Sequence, residues 1–211
     1  MRIISFCLFL LIPLGIQAQA PEKGPVQIYT SRHLRYASTF GEVGTDITIN
    51  GNIVSVSNRG EKFTYEQQLR ATENGLSLTR VYQKYKLLGL FTRESSTTYK
   101  SPLLRFPPQL KTGISWNAST IEYNGNDSAQ IQLTGTVAGE ETVMTKAGNF
   151  RTYRVETIFS HPGGEQSRVI DWIAPETGII RTKIYLSNDG LMGLVKKLLG
   201  YSEITFELIA R

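Results

Sequence analysis

The sequence holds two histidines, His33 and His161, far apart in the chain. A catalytic zinc takes three protein ligands, most often histidine, cysteine or carboxylate, and no histidine pair here has the spacing of one helical turn. Metal binding is therefore not expected. The G-x-S-x-G elbow, the phosphate-cradling glycine loop and the dinucleotide fingerprint are absent as well, so nucleophilic, nucleotide and flavin chemistry lack their usual marks. No catalytic residue, metal ligand or cofactor is assigned.

Paired carboxylates remain, because glycoside hydrolysis needs only two, which a fold can gather from distant positions. Glu140 and Glu141 are adjacent, but neighbours on an extended strand face opposite ways and cannot share one site. Asp171 is more unusual. In "SRVIDWIA" it shares a strand face with Val169 and Ile173, so it is expected to be partly buried and to need a charged or hydrogen-bonded partner. A structural ion pair with an arginine such as Arg154 or Arg181 is the simpler account. A hydrolase built on scattered carboxylates ranks behind two non-enzymatic readings.

Trp116, Tyr153 and Trp172 are the candidates for lining a binding pocket, although tryptophans on strands more often fill a core. Trp172 is expected to pack between strands, where truncation to alanine costs about 3 to 5 kcal/mol. The leucine-rich "KLLGLF" at 86–91 and "KKLLGY" at 196–201 resemble each other. Both set bulky apolar residues beside glycine and lysine, as a membrane-touching rim would, but a small satellite core closing the sheet is the plainer reading.

The elements that must position these residues show period two almost throughout. "FTYEQQLRA" puts Phe63, Tyr65, Leu69 and Ala71 on one face, "SAQIQLTGTV" does so with Ile131, Leu133 and Val137, and "YSEITFELI" with Ile204, Phe206 and Leu208. Each reads as a half-buried antiparallel strand. "TVMTKAGNFRTYRVETIF" at 142–159 reads as a hairpin turning at Ala147-Gly148-Asn149, with Tyr153, Val155 and Phe159 on one face. Turn signals such as Asn50-Gly51-Asn52, Glu73-Asn74-Gly75, Asn124-Gly125-Asn126, Pro162-Gly163-Gly164 and Asn188-Asp189-Gly190 punctuate the chain. The spacing predicts an all-β fold, a curved antiparallel sheet or open barrel of about ten to twelve strands. The exception is 191–199, where leucines at helical spacing can form one short amphipathic helix.

Residues 1–18 read as a secretory signal peptide, an arginine followed by an apolar run too short to span a bilayer and then small residues. Cleavage after Ala18 would remove Cys7, the single cysteine, and leave a chain without disulfides or thiols. Residues 19–211 are then one domain: an N-terminal meander over 26–100, a proline-rich crossing segment over 101–113 and a C-terminal meander over 114–210. No other segment is apolar enough to span a membrane as a helix. The net charge of +5 is modest and its basic residues are scattered among acidic ones, so no nucleic-acid partner is expected.

The C-terminal half carries a resemblance. "FPPQLKTGISW" at 106–116, "GTVAGEETVMTKAGNFRTYRVE" at 135–156 and "VIDWIAPETGIIRTK" at 169–183 are similar to the TapB-like family of secreted bacterial proteins, a domain of unknown function. The similarity covers about 103–209 and implies a cell-envelope, all-β domain, periplasmic or extracellular. It brings no catalytic residues with it. The reading that follows is an exported, non-enzymatic module whose curved sheet binds an apolar ligand such as a lipid or acyl chain. The alternative is a cell-envelope interaction or scaffold protein with a filled core.

Overall fold

A computed structural model describes residues 28–87, 91–162, 166–175, 177–185 and 202–211. Twelve strands follow one another: β1 (Arg32–Ser38), β2 (Gly41–Asn50), β3 (Ile53–Gly60), β4 (Phe63–Thr72), β5 (Gly75–Leu87), β6 (Phe91–Phe106), β7 (Ser115–Asn124), β8 (Asp127–Thr145), β9 (Gly148–Ser160), β10 (Gln166–Ala174), β11 (Gly178–Tyr185) and β12 (Glu203–Ala210). Each pairs antiparallel with its neighbours in sequence, and β1 closes on β12 through Arg35↔Ala210 and Tyr36↔Leu208. The period-two pattern thus yields an all-β meander whose curvature goes as far as closure, its first and last strands paired. The signal peptide, the 191–199 helix, the whole of the 196–201 segment and residues 88–90 of the 86–91 segment lie outside the described residues.

The crossing segment is shorter than 101–113, because β6 continues to Phe106 and the link to β7 is 107–114. Pro102 fits inside β6 because it lies in a bulge. The ladder to β5 passes from Arg80↔Thr98 to Leu78↔Leu103, so residues 99–102 have no partner there and the missing proline N–H costs nothing. On its other side β6 pairs with β7 only over Thr97–Tyr99. Beyond that point Thr120 bridges the seam, its hydroxyl 3.0 Å from both the backbone N and the Oγ of Ser101.

The barrel interior has a packed end and a hollow end. At the packed end Ile28 enters from the N-terminal segment and meets Leu34, Leu69, Leu103, Val137 and Leu208, each no more than 1% exposed. Trp116 on β7 lies across Gly135 on β8, its cross-strand partner. A Cβ on Gly135 would stand 2.1 Å from the indole ring, so only glycine admits the tryptophan there. The β8–β9 hairpin runs on past this end, since β7 reaches β8 only as far as Thr136 and β10 reaches β9 only as far as Tyr153.

Candidate functional site

At the hollow end residues of β1–β6 and β9–β12 enclose a cavity of about 280 Å³. Its walls are largely apolar because the alternation sends Val169, Ile184, Ile204 and Phe206 inward. Phe40, Phe63 and Phe206 stand together on this wall, Phe63 meeting each of the other two edge-to-face at 5.9 Å between ring centroids. Such contacts hold large rings without filling the space between opposite walls.

The floor is polar. Arg105 on β6 and Asp171 on β10 face each other across it, both almost fully buried, and the Arg105 Nη2 donates to Asp171 Oδ2. Arg105 Nη1 donates to Thr157 Oγ1 at 2.5 Å, and Thr182 Oγ1 donates to Asp171 Oδ1 at 2.7 Å. The guanidinium also lies 4.5 Å from the centroid of Phe106 and 5.5 Å from that of Phe159, so aromatic faces cover it. A buried charge pair survives when its geometry and remaining hydrogen bonds are satisfied, and both oxygens of Asp171 have donors here.

Three tyrosines border this pair. The Tyr36 hydroxyl donates to the Ile179 carbonyl at 2.7 Å. The Tyr29 hydroxyl, buried with its residue only 4% exposed, has no partner among the described residues. Burial pushes the Tyr29 and Tyr36 phenols well above their ordinary range, and the negative charge of Asp171 adds to the effect. Tyr65 is raised by burial as well, against the pull of Arg105. All three are therefore neutral at physiological pH.

Asp171 is the one carboxylate lining the cavity among the described residues, and its charge is committed to Arg105. Glu140 and Glu141 are held apart from it and from each other in function, Glu140 accepting from Arg151 and Glu141 from the Trp172 indole. His33 pairs with Asp46 and His161 with Glu122, and no group of three metal-ligating side chains occurs among the described residues.

Asp171 is buried with an arginine as expected, but the partner is Arg105 rather than Arg154 or Arg181. Those two are the cross-strand neighbours of Trp172, so they lie on the outward face of the sheet. Arg181 there binds Glu207 and lies near the Trp172 ring. None of the three expected pocket residues lines the cavity. Trp116 is buried in the packed end. Trp172 follows Asp171 on the strand, and neighbours cannot both face inward. Tyr153 sits where β9 changes face: Thr152 and Phe150 are buried beyond it, Val155 and Thr157 before it, next to the β8 bulge between Val137 and Gly139.

Arg105 and Tyr29 were not legible as site residues from motifs. A signal for Arg105 exists, since it lies two residues from Leu103 and so shares the apolar face of its strand. Tyr29 precedes β1 and belongs to no periodic run.

No family model matches the chain, and no curated protein matches it. Two solved structures are similar in fold. One is a candidate lipoprotein of Parabacteroides distasonis, at 12% identity and a TM-score of 0.39, covering 87% of this chain and 95% of its own. The other is a candidate exported protein with a YmcC-like fold from Bacteroides fragilis, at 12% identity and a TM-score of 0.40, covering 86% and 95%. A likeness this loose carries no argument about the function of this chain.

Proposed function

We propose that the protein is an exported, non-enzymatic β-barrel that holds one acyl or similar apolar chain in its cavity. The observation that carries this reading is the hollow end itself, about 280 Å³ with largely apolar walls in a barrel whose other end is packed solid. That volume is just under the usual lower bound of roughly 300 Å³ for small-molecule pockets, so it suits a single chain rather than a two-chain lipid. Each buried methylene contributes about 0.8 kcal/mol, and even a partly inserted chain reaches micromolar affinity after the costs of binding. The leader-like residues 1–18 and the TapB-like resemblance of 103–209 support export.

Native mass spectrometry of protein purified from a bacterial envelope, followed by solvent extraction, tests the reading. The expected result is a chain beginning at Gln19 with a copurifying single-chain lipid, and saturable titration when the extracted protein is offered acyl compounds. If nothing copurifies and no titration saturates, the scaffold reading with an interior closed to ligands replaces it.

A further inference from the structure

We infer that the cavity wall formed by β4 and β5 recognises an amide, so that the chain held there is an N-acyl amide rather than an ester, an alcohol or a free acid. The inference rests on the cavity reading and names the polar group of its ligand.

The cavity has an apolar arc and a polar one. Apart from Asp171 and Thr182, which bond to each other, β9–β12 line it with apolar side chains. On β2–β5, by contrast, Thr45, Asn58, Tyr65 and Gln83 are successive cross-strand partners and form one polar row. Part of this lining is satisfied internally. Thr45 Oγ1 donates to Asn58 Oδ1 at 2.7 Å, Asn58 Nδ2 to the Tyr65 carbonyl at 3.3 Å, and the Tyr85 hydroxyl to Gln83 Oε1. Both ends of the Gln67 amide, and Gln83 Nε2, make no hydrogen bond among the described residues. Nor are these atoms sealed inside the packing, as the Tyr29 hydroxyl is, so their surface is open. It opens into the cavity, because Gln67 takes the inward position between Tyr65 and Leu69, and Gln83 the one between Val81 and Tyr85.

Gln67 asks for a donor to its carbonyl, and Gln83 offers a donor on the next strand. The two are diagonal neighbours, since Gln67 faces Val81 across the ladder and Gln83 lies two residues further along. Such positions are about 7 to 8 Å apart, within reach of long side chains. A secondary amide suits that gap. Its N–H and C=O point opposite ways, so the N–H donates to Gln67 Oε1 while the carbonyl accepts from Gln83 Nε2. An ester has no N–H and leaves Gln67 Oε1 desolvated without a partner. An alcohol works from a single oxygen and serves only one of the two glutamines. A free carboxylate adds net negative charge to a lining whose only charges, Arg105 and Asp171, are already paired with each other, which is expensive.

The mature protein, loaded with a neutral naphthylamine dye, is titrated with N-methyldecanamide, N,N-dimethyldecanamide, methyl decanoate, decanol and sodium decanoate at about pH 8, where the acid is ionised. The secondary amide is expected to displace the dye at concentrations about tenfold below those of the other compounds, equivalent to about 1.4 kcal/mol. Gln67→Met keeps the length of the side chain and removes both amide atoms. Its melting temperature should hold or rise, its binding of dye and ester should be unchanged, and its affinity for the secondary amide should fall about tenfold, to that of the ester. Gln68→Met, on the outward face of the same strand, should change none of these. A secondary amide that displaces no better than the ester or the free acid, or a Gln67→Met protein that keeps the preference, overturns the amide site and leaves the cavity reading standing. A protein that takes up neither dye nor any of the decyl compounds overturns the cavity reading itself.

Discussion

The two ends of the barrel interior come from one alternation of inward and outward residues, yet one is solid and the other hollow. At the solid end the fill comes partly from outside the strands. Ile28 is inserted from the N-terminal segment, Leu110 from the link between β6 and β7, and Trp116 lies over the vacant space left by Gly135. The hollow end has no described segment crossing it, and its strands alone cannot fill a ring of this size, since barrel diameter grows with strand number. What separates the ends is therefore the supply of plugging residues, with the Arg105–Asp171 pair and its tyrosines at the boundary between them.

The boundary should fail first as pH rises, and this is the largest effect expected. Tyr29 and Tyr36 have folded-state pKa values raised above their ordinary value near 10, mainly by burial. A raised value means that the folded state keeps its protons where the unfolded state gives them up. Their stabilisation is thus complete below about pH 10 and is lost as pH rises above it, at about 1.4 kcal/mol per tyrosine per pH unit. Two such groups cost about 3 kcal/mol per unit, so a domain of ordinary stability unfolds by about pH 12 to 13. Tyrosinate ultraviolet absorbance followed beside circular dichroism should show these phenols ionising together with unfolding. Ionisation of all tyrosines before any loss of structure would place the floor in water and erase the boundary.

Breaking the charge pair comes next. Arg105→Met leaves Asp171 buried without its cation and should cost about 3 to 5 kcal/mol in a urea titration. Arg105→Met combined with Asp171→Leu removes both charges and should recover most of that loss. If the double variant is no more stable than the single one, Thr157 and Thr182 hold the floor together independently of the pair.

Side chains of similar size at the two ends should differ in cost. Trp116→Ala empties a packed site and is expected to lose about 3 to 5 kcal/mol, whereas Phe206→Ala enlarges a space that is already open and should lose about half as much. Equal losses would mean that the hollow end closes up in solution. Thermal or urea unfolding of both variants gives the comparison directly.

The solid end was the more legible of the two in the sequence. Leu69, Ile131, Leu133 and Val137 sit on the apolar faces that period two assigns them, and all are buried. The Asn50-Gly51-Asn52, Glu73-Asn74-Gly75 and Asn124-Gly125-Asn126 signals fall at the turns after β2, β4 and β7. The site was hidden for two physical reasons. Alternation is local, so it indicates that Asp171 faces inward but not which strand across the barrel supplies its cation. A bulge also changes the parity without warning, as it does beside Tyr153, and an aromatic count along the chain cannot register that shift.

The smallest expected effect separates the two tryptophans, which the sequence presents as equals. Trp116 is 8% exposed and fits against Gly135. Trp172 lies on the outer face of β10, half-buried, with its indole N–H donated to Glu141 at 2.5 Å and Arg181 beside its ring at 5.7 Å. What Trp172→Ala removes is one charge-assisted hydrogen bond at the surface, one exposed cation–π contact and part of a ring's burial. Hydrogen bonds of this kind contribute little net where water can replace them, and the cation–π term is about 0.5 to 1 kcal/mol at exposed sites. The loss should be about 1 kcal/mol, well below the 3 to 5 kcal/mol for a tryptophan packed between strands. Glu141→Gln should produce a fraction of the same loss, and added salt should narrow the gap between it and the parent. A Trp172→Ala loss as large as that of Trp116→Ala would mean that the β8–β9 hairpin depends on this indole to stay against β10, and that the outer face there is a second packed region.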